Sequence, residues 1–137
     1  MTCIPKREIF IERNDPGLIV DDEERILLLL EVTLRAAGYE VLVAHDGQEA
    51  INRLEQEKVD AVITDMNMPQ VGGLEVIGAV RRLYGAKVPV IVVTAYGSVQ
   101  NAVDAMHRGA TDYLEKPFDM ADLKACLAKW LEEAGKI

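Results

Sequence analysis

The sequence predicts an α/β protein in which five parallel strands form one sheet, doubly wound by five helices on its two faces. Five short, β-branched apolar runs are of the kind that form strands buried on both faces. Amphipathic stretches with helical spacing separate these runs in strict alternation. Such alternation implies right-handed crossovers between parallel strands, and therefore a layer of helices on each side of the sheet.

The same patterns place each predicted element along the chain. Strands are expected at residues 17–20, 39–44, 59–64, 87–95 and 111–116. Helices are expected at about residues 22–37, 47–57, 74–84, 99–108 and 119–130. Gly38 and Gly109 follow the first and fourth helices and are suited to end them, whereas Asp119 is a suitable N-cap for the fifth.

The first predicted helix has an apolar side whose members recur at helical spacing. This side consists of Ile26, Leu29, Leu30, Thr33, Leu34 and Ala37. Leu28, the second member of a Leu27-Leu28 pair, points away from that side by helical geometry. We therefore expect an exposed leucine at position 28, which is ordinary in a globular protein.

Length and composition favour one acidic globular domain. The 137 residues are half hydrophobic, and a chain of this size buries roughly two-thirds of its unfolded surface. Asp and Glu number 23 against 15 Lys and Arg, so the domain lacks the excess of cations that nucleic-acid binding requires. Cys3 and Cys126 have no metal-type or redox-type spacing, and no run approaches the roughly 20 apolar residues of a membrane span. We expect a cytoplasmic protein with reduced thiols, without direct nucleic-acid or membrane contact.

Three parts of the chain can be distinguished. We expect an N-terminal extension at residues 1–16, a folded domain at residues 17–134 and a short tail at residues 135–137. The segment REIFIE in the extension alternates like a strand, but both neighbours of a central first strand are already taken. The extension is therefore expected to be a mobile tail, with addition to a sheet edge as the alternative.

Polar side chains stand where several of the predicted strands end. The first strand ends in Asp21 and Asp22, the third in Asp65, the fourth in Thr94 and the fifth in Lys116. Each alone has an ordinary explanation as a helix cap, a strand residue or a surface charge. Together they are more specific, because a parallel sheet brings the carboxyl ends of its strands to one edge.

The charges of these residues favour phosphoryl transfer at a metal site. Two carboxylates 4 Å apart repel by roughly 4 kcal/mol at an effective dielectric near 20, and Lys116 offers one compensating charge. The pocket that remains is negative and rich in oxygen, as Mg²⁺ prefers, and a backbone carbonyl after Asp65 can complete the ligand set. Phosphoryl transfer needs a positioned nucleophile and neutralised oxygens, so Asp65 is the predicted nucleophile and an aspartyl phosphate the product, with Lys116 and the Thr94 hydroxyl contacting the transferred group.

Three segments and their order resemble the receiver domain of bacterial response regulators. The segments are IVDDEERI (19–26), VITDMNMPQVGGLEVI (62–77) and VIVVTAYGSVQNAVDAMHRGATDYLEKPF (90–118). The resemblance extends from about Gly17 to Trp130 and implies a flavodoxin-like fold of three layers. The phrases TAYGSVQNAV and GATDYLEKPF are similar to receivers of the nitrogen-regulation type of enhancer-binding activators.

The resemblance implies a phosphoacceptor and a magnesium site. Asp65 would accept the phosphoryl group. Asp22, Asp65 and the main-chain carbonyl of Asn67 would bind Mg²⁺ directly, and Asp21 would act through water. Lys116 would contact the phosphate.

Other matching positions would govern signalling. Thr94 and Tyr113 would form the switch pair, and the Lys116–Pro117 bond would be cis. Asn67 and Tyr96 would modulate how long the phosphate persists.

The resemblance also implies partners and an output. A sensor histidine kinase would supply the phosphate, with acetyl phosphate as a slow alternative donor. Phosphorylation would alter the surface of the fourth helix, fifth strand and fifth helix, which serves docking or homodimerisation. The chain would then be a phosphoacceptor that gains and loses phosphate by its own chemistry, not a turnover enzyme, and it would control transcription.

Two other functions compete with this interpretation. A Mg²⁺-dependent phosphohydrolase of the haloacid dehalogenase type also uses a strand-end aspartate, but it places a second aspartate two residues later as general acid. Position 67 is an asparagine, which cannot transfer a proton, and no cap insertion is present. A receiver-like scaffold without phosphorylation is disfavoured because every charge that the chemistry needs is present.

Overall fold

The computed structural model describes residues 15–95 and 99–136, and within them strands and helices alternate as predicted. The strands are β1 (Gly17–Val20), β2 (Val41–Ala44), β3 (Ala61–Asp65), β4 (Val90–Thr94) and β5 (Asp112–Glu115). The helices are α1 (Glu24–Ala36), α2 (Gly47–Gln56), α3 (Gly73–Tyr84), α4 (Val99–Arg108) and α5 (Met120–Glu133).

The strands form one parallel sheet in the order β2-β1-β3-β4-β5. The predicted doubly wound fold class is confirmed. Every residue of β3 and β4 is buried, which explains why these two runs are apolar throughout and do not alternate with polar residues. Asp65 pairs with Val93 and Thr94 pairs with Glu115, so the ends of β3, β4 and β5 lie side by side at one edge.

A hydrophobic layer covers each face of the sheet. Leu18 and Val20 point to the face covered by α2, α3 and α4, whereas Ile19 between them points to the face covered by α1 and α5. This alternation is the period-two geometry of a strand. The sheet is therefore buried on both sides, and its carboxyl edge is left to carry the site.

The buried side of α1 differs from the predicted one. Leu27, Leu30 and Leu34 face the core, whereas Leu29, which was expected to be buried, is 46% exposed. The prediction failed because four successive leucines at positions 27–30 present an apolar residue in every direction. The expected exposure of Leu28 is confirmed at 60%.

Most predicted helix boundaries have a local cause in the structure. Gly38 and Gly109 follow α1 and α4 with φ of 99° and 110°, a conformation that glycine adopts without a steric penalty. Asp46 caps α2, since its carboxylate accepts a hydrogen bond of 2.7 Å from the Glu49 N–H. Asp119 occupies the N-cap position of α5 as predicted, but its side chain makes no capping hydrogen bond.

The expected mobile extension falls largely outside the described residues, as do Cys3 and the REIFIE segment. The two residues of it that are described bond to Asp60: the Asp15 N–H donates to Asp60 Oδ2 at 2.8 Å, and the Pro16 carbonyl accepts from the Asp60 N–H at 3.0 Å. Across residues 15–95 and 99–136, no helix combines the length and the apolar character that crossing a bilayer requires.

Candidate functional site

An open cleft lies at the carboxyl edge of the sheet, where the sequence placed the site. Its lining consists of Asp22, Glu23, Asp65, Met66, Asn67, Met68, Pro69, Ala95 and Lys116. The strand ends contribute the charged groups, and the irregular loop after β3 forms one wall. The fold thus brings residues that are far apart in sequence into one cleft.

Asp65 is held by the main chain around it. It is the last residue of β3 and is buried. The Met66 N–H donates a hydrogen bond of 2.9 Å to Asp65 Oδ1, which fixes the direction of the carboxylate. The start of α3 packs directly on this strand end, because a Cβ at Gly73 would lie only 2.6 Å from the Asp65 carbonyl oxygen.

Three carboxylates meet in the cleft. Oxygens of Asp21, Asp22 and Asp65 all lie within 4.8 Å of one another. Asp21 and Asp65 are buried, whereas Asp22 is exposed. The ammonium group of Lys116 donates to Asp21 Oδ2 at 2.9 Å and lies 3.9 Å from Asp65 Oδ1. One cation therefore faces three acidic groups, and the cluster is short of positive charge.

The electrostatic cost appears at Asp65. Burial raises the pKa of its carboxyl to about 6. The nearby Lys116 acts in the opposite direction, while the negative charges of Asp21 and Asp22 raise the pKa further. A divalent cation bound to these carboxylates would remove that cost, and the hard oxygen donors present are those that Mg²⁺ prefers.

Two further predicted residues stand beside the carboxylates. Thr94 is fully buried at the end of β4, and its hydroxyl accepts a hydrogen bond of 3.3 Å from the Asn67 side-chain amide. Lys116 also contacts Thr94, because the main-chain N–H of Lys116 donates a hydrogen bond of 2.8 Å to the Thr94 carbonyl. The Lys116–Pro117 peptide bond is cis, as expected.

Tyr113 lies on β5, where it pairs with Val92, two residues before Thr94 on the neighbouring strand β4. Its ring packs against the hydrophobic layer on the α2, α3 and α4 face, and its hydroxyl oxygen is buried. The tyrosine therefore points inward in this structure. Tyr96, the other residue expected to influence phosphate lifetime, lies outside the described residues.

Some main-chain groups that orient the site residues could not be identified from the sequence. Asp21 is oriented by the Glu23 N–H, which donates to its Oδ1 at 2.9 Å, and Asp65 by the Met66 N–H. Main-chain donors are present at every non-proline residue, so no pattern of side chains identifies them. The Gly72-Gly73 pair is visible in the sequence, but the close approach of the main chain that requires Gly73 is visible only in the structure.

The family model of the response regulator receiver domain matches residues 18–128. The chain belongs to this family. The receiver assignment disfavours the phosphohydrolase alternative, in agreement with the asparagine at position 67.

Known receivers and regulators are similar over most of the chain. The transcriptional regulatory protein PrrA of Mycobacterium tuberculosis is 41% identical over 118 residues, which cover 86% of this chain and 50% of PrrA. A CheY-like receiver structure from Methanospirillum hungatei superposes with a TM-score of 0.85 at 31% identity, covering 90% of this chain and 98% of that one.

The similarity to nitrogen-regulation-type activators is also confirmed. The transcriptional regulatory protein ZraR of Escherichia coli is 37% identical over 120 residues, which cover 88% of this receiver and 27% of ZraR. The chain thus spans half or less of the length of these two regulators.

Proposed function

We propose that this receiver accepts a phosphoryl group from a sensor histidine kinase on Asp65 and uses it to switch a protein-binding surface. The single observation that carries the proposal is the geometry around Asp65. A buried strand-end carboxylate lies within 4.8 Å of two further carboxylate groups and 3.9 Å from a lysine ammonium. Carboxylate oxygens this close together favour a bound divalent cation, and a cation beside a nucleophile is what phosphoryl transfer needs.

The chain's own groups divide the work of the transfer. An Asp65 carboxylate oxygen attacks phosphorus, and the phosphorus–nitrogen bond to the kinase histidine breaks as the new phosphorus–oxygen bond forms. Asp22, Asp65 and the Asn67 carbonyl would hold Mg²⁺, with Asp21 acting through water. The metal supplies neutralisation of the phosphoryl oxygens when bound. Lys116, whose ammonium lies 3.9 Å from Asp65 Oδ1, would add a second positive contact to the phosphoryl group.

The raised pKa of Asp65 is compatible with this role. A pKa of about 6 leaves the carboxyl largely ionised at pH 7 and above, as a nucleophile must be. A bound divalent cation favours the ionised form further. The attack is therefore expected to need the metal most when the pH falls toward 6.

The switch would link the phosphate to α4, β5 and α5. The Thr94 hydroxyl is placed to donate to a phosphoryl oxygen, and Tyr113 on the neighbouring strand would follow its position. Such a charge-assisted hydrogen bond contributes on the order of 1.5–3 kcal/mol, enough to shift a two-state population by about one or two decades. The Tyr113 ring, whose hydroxyl oxygen is buried, would fill the space that the Thr94 hydroxyl leaves when it moves toward the phosphate.

The surface beside this switch is apolar enough to bind a partner. Val99, Val103 and Met106 on α4 are 82%, 40% and 48% exposed. Exposed apolar residues at helical spacing favour a protein contact, which here would be phosphorylation-dependent homodimerisation or docking. The output would be control of transcription in the cytoplasm, by a phosphoacceptor that is not a turnover enzyme.

The lifetime of the phosphate would depend on Asn67 and Tyr96. The Asn67 side chain can orient an attacking water but cannot act as its base, and the bulk of Tyr96 is expected to impede the same water. Tyr96→Ala should speed phosphate loss with nearly unchanged Mg²⁺ affinity, a tenfold change corresponding to about 1.4 kcal/mol of barrier. Slower or unchanged phosphate release in this variant would eliminate the shielding role.

Phosphorylation with a small donor tests the assignment of Asp65. Wild-type protein incubated with Mg²⁺ and acetyl phosphate should gain one alkali-labile phosphate. Mass spectrometry would detect it as an increase of about 80 Da in the mass of the protein. Asp65→Asn should gain none. Asp46→Asn is the matched control, because Asp46 follows β2 at the same edge and asparagine preserves its helix cap. Labelling of Asp65→Asn at the wild-type level would refute the assignment.

A further inference from the structure

Helix α4 buries little of its own surface, and what it buries lies in its C-terminal half. Among its ten residues, all of them described, only Ala105 is buried, and Ala110 is buried just beyond the helix. At the other end of the helix, Val99 is 82% exposed. Burial of one alanine side chain contributes little hydrophobic stabilisation. Polar contacts are therefore important for holding α4 against the domain.

The side chain of Arg81 makes such a contact with the end of α4. Arg81 lies in the last turn of α3, and its Nε donates a hydrogen bond of 2.9 Å to the carbonyl of Gly109, the residue after α4. The last carbonyl groups of a helix lack partners within the helix, and the negative end of the helix dipole lies there. A guanidinium group at this place therefore stabilises the C-terminal end of α4.

The same guanidinium group also binds the segments on either side of β4. Its Nη1 donates hydrogen bonds of 2.8 Å to the carbonyls of Gly85 and Val88, and its Nη2 lies 3.4 Å from the Thr111 hydroxyl oxygen, which accepts from it. Burial lowers the pKa of the guanidinium, and a buried charge is tolerated when its donors have acceptors. The Arg81 side chain thus connects the end of α3, the segment before β4 and the segment between α4 and β5.

Gly109 allows the arginine side chain to come this close. Its φ of 110° is a conformation that glycine adopts without a steric penalty. A Cβ at this position would lie 2.9 Å from both Cγ and Nε of Arg81. The side chain of Arg81 therefore packs on the main chain of Gly109 in addition to bonding to it.

Thr111 connects this contact to the sheet. Its hydroxyl accepts a hydrogen bond of 2.9 Å from the Val90 N–H, and its own N–H donates one of 2.7 Å to the Val90 carbonyl. Val90 is the first residue of β4 and is fully buried. The end of α4 is thus attached to a rigid part of the core.

We propose that Arg81 is a positioning residue that fixes the C-terminal end of α4, so that phosphorylation moves the N-terminal half of this helix about that end. Val99 would then change its position more than Met106, which lies nearer the fixed end. This inference rests on the proposed switch of α4, β5 and α5, and it assigns the pivot of the switch to a residue outside the phosphorylation site.

Hydrogen exchange in the metal-free full chain tests the anchor by itself. Arg81→Met keeps a side chain of similar length but removes the four hydrogen bonds. Amides at residues 105–111 should then exchange at least about tenfold faster relative to those of β3, as expected for the loss of a charge-assisted hydrogen bond. Unchanged relative exchange in this variant would overturn the proposal.

Arg82→Met is the matched control for this experiment. Arg82 is the neighbouring arginine on α3, and its exposed guanidinium lies 3.7 Å from the carboxylate of Glu55 on α2. Relative exchange at residues 105–111 should equal that of the wild-type protein, and equal acceleration in both variants would overturn the specific role of Arg81. Arg81→Lys keeps the charge but not the planar set of donors, so it should accelerate exchange to a smaller extent. It replaces Arg81→Met if that variant does not fold.

Beryllofluoride with Mg²⁺ tests the pivot. In the wild-type protein it should shift the amide resonances of residues 99–103 more than those of residues 105–109. In Arg81→Met the two halves of α4 should shift to a similar extent, whereas Arg82→Met should behave as the wild type. Equal shifts along α4 in the wild-type protein would overturn the pivot alone. No response of α4 in a wild-type protein that binds beryllofluoride would overturn the proposed switch together with the pivot.

Discussion

The side-chain amide of Asn67 donates a hydrogen bond of 3.3 Å to the hydroxyl of Thr94. The donor belongs to the exposed loop after β3, and the acceptor is buried at the end of β4. In the proposed function one residue influences phosphate lifetime and the other is part of the switch. The bond therefore links the two properties, because a Thr94 hydroxyl that moves toward a phosphoryl oxygen must weaken its contact with Asn67.

Removal of the Asn67 amide should make the switch easier to operate. A neutral hydrogen bond contributes about 0.5–1.5 kcal/mol, and a length of 3.3 Å places this one at the weak end. Asn67→Ala should therefore bind beryllofluoride about two- to fivefold more tightly at saturating Mg²⁺, measured by NMR titration. The Asn67 carbonyl, which is proposed to bind the metal, is retained in this variant because it belongs to the main chain.

A double-mutant cycle separates this effect from others. In a Thr94→Val background the bond is already absent, so Asn67→Ala should no longer change the affinity. The same gain in both backgrounds would show that Asn67 acts on the metal or the phosphate and not through Thr94.

The carboxylate cluster predicts opposite effects of two substitutions on Mg²⁺ affinity. Asp22→Ala removes a proposed ligand, so affinity should fall at least tenfold. Lys116→Ala removes the cation that is 2.9 Å from Asp21, so the site becomes more negative and affinity should stay equal or rise. Calorimetric titration with Mg²⁺ alone measures both.

Glu23→Gln provides the control for that experiment. Glu23 is an exposed acid lining the same cleft, but it does not belong to the cluster of carboxylates within 4.8 Å. Its substitution should change Mg²⁺ affinity only slightly. Equal losses in Glu23→Gln and Asp22→Ala would mean that the cleft attracts the metal by general charge and not by ligation.

The pKa of Asp65 predicts how stability depends on pH. The carboxyl titrates near 3.8 in the unfolded chain and at about 6 in the folded one. Below pH 3.8 it is protonated in both states and costs nothing. Between 3.8 and 6 the unfolded chain releases the proton first, so the folded state loses relative stability, and above 6 the full cost of the buried charge is present.

Asp65→Asn should therefore be more stable than the wild-type protein at pH 7.5 without divalent metal. After allowance for the open cleft we expect about 1–2 kcal/mol, with the difference vanishing near pH 4. Saturating Mg²⁺ should reduce it at pH 7.5, because the metal stabilises the wild-type site. Urea denaturation at the two pH values measures it, and an asparagine variant less stable at pH 7.5 would contradict the sign.

The fold was predictable because its signals are redundant. Five buried parallel strands require β-branched runs, and any one boundary can be misplaced without changing the topology. The fourth strand was predicted from residue 87 but begins at Val90, because Val88 is buried before the strand starts. In α1 the leucines at 27–30 gave no directional information, and only packing against Ile19 and its neighbours decides which of them is buried.

The site was predictable only in part. The topology of a parallel sheet brings Asp22, Asp65 and Lys116 to one edge, whatever the details of the loops. The hydrogen bond between Asn67 and Thr94 depends on the path of the loop after β3, which no periodicity encodes. The tight packing of α3 against the end of β3 is likewise a matter of backbone approach.

That close approach supports a prediction about two glycines of the same helix. A Cβ at Gly73 would lie 2.6 Å from the Asp65 carbonyl oxygen and 2.9 Å from the Met66 Cα, both of them main-chain atoms that cannot rotate away. A Cβ at Gly78, in the middle of α3, would meet nothing within 4 Å. Alanine substitutions at the two positions therefore distinguish the general preference of helices for alanine from the steric requirement for glycine beside Asp65.

Gly78→Ala should stabilise the protein by about 0.5–1 kcal/mol and leave phosphorylation unchanged, since alanine loses less backbone entropy in a helix. Gly73→Ala must push α3 away from the end of β3, at a cost of about 1–3 kcal/mol. The shift would stretch the 2.9 Å bond from the Gly73 N–H to the Met66 carbonyl and displace Asp65. Misplacement of a reacting group by about 1 Å can lower a rate on the order of a hundredfold. Phosphorylation by acetyl phosphate should therefore be at least about tenfold slower in Gly73→Ala. The rates are compared at a temperature at which both variants are folded. A Gly73→Ala protein that is phosphorylated at the wild-type rate would show that the loop absorbs the added methyl group without moving Asp65.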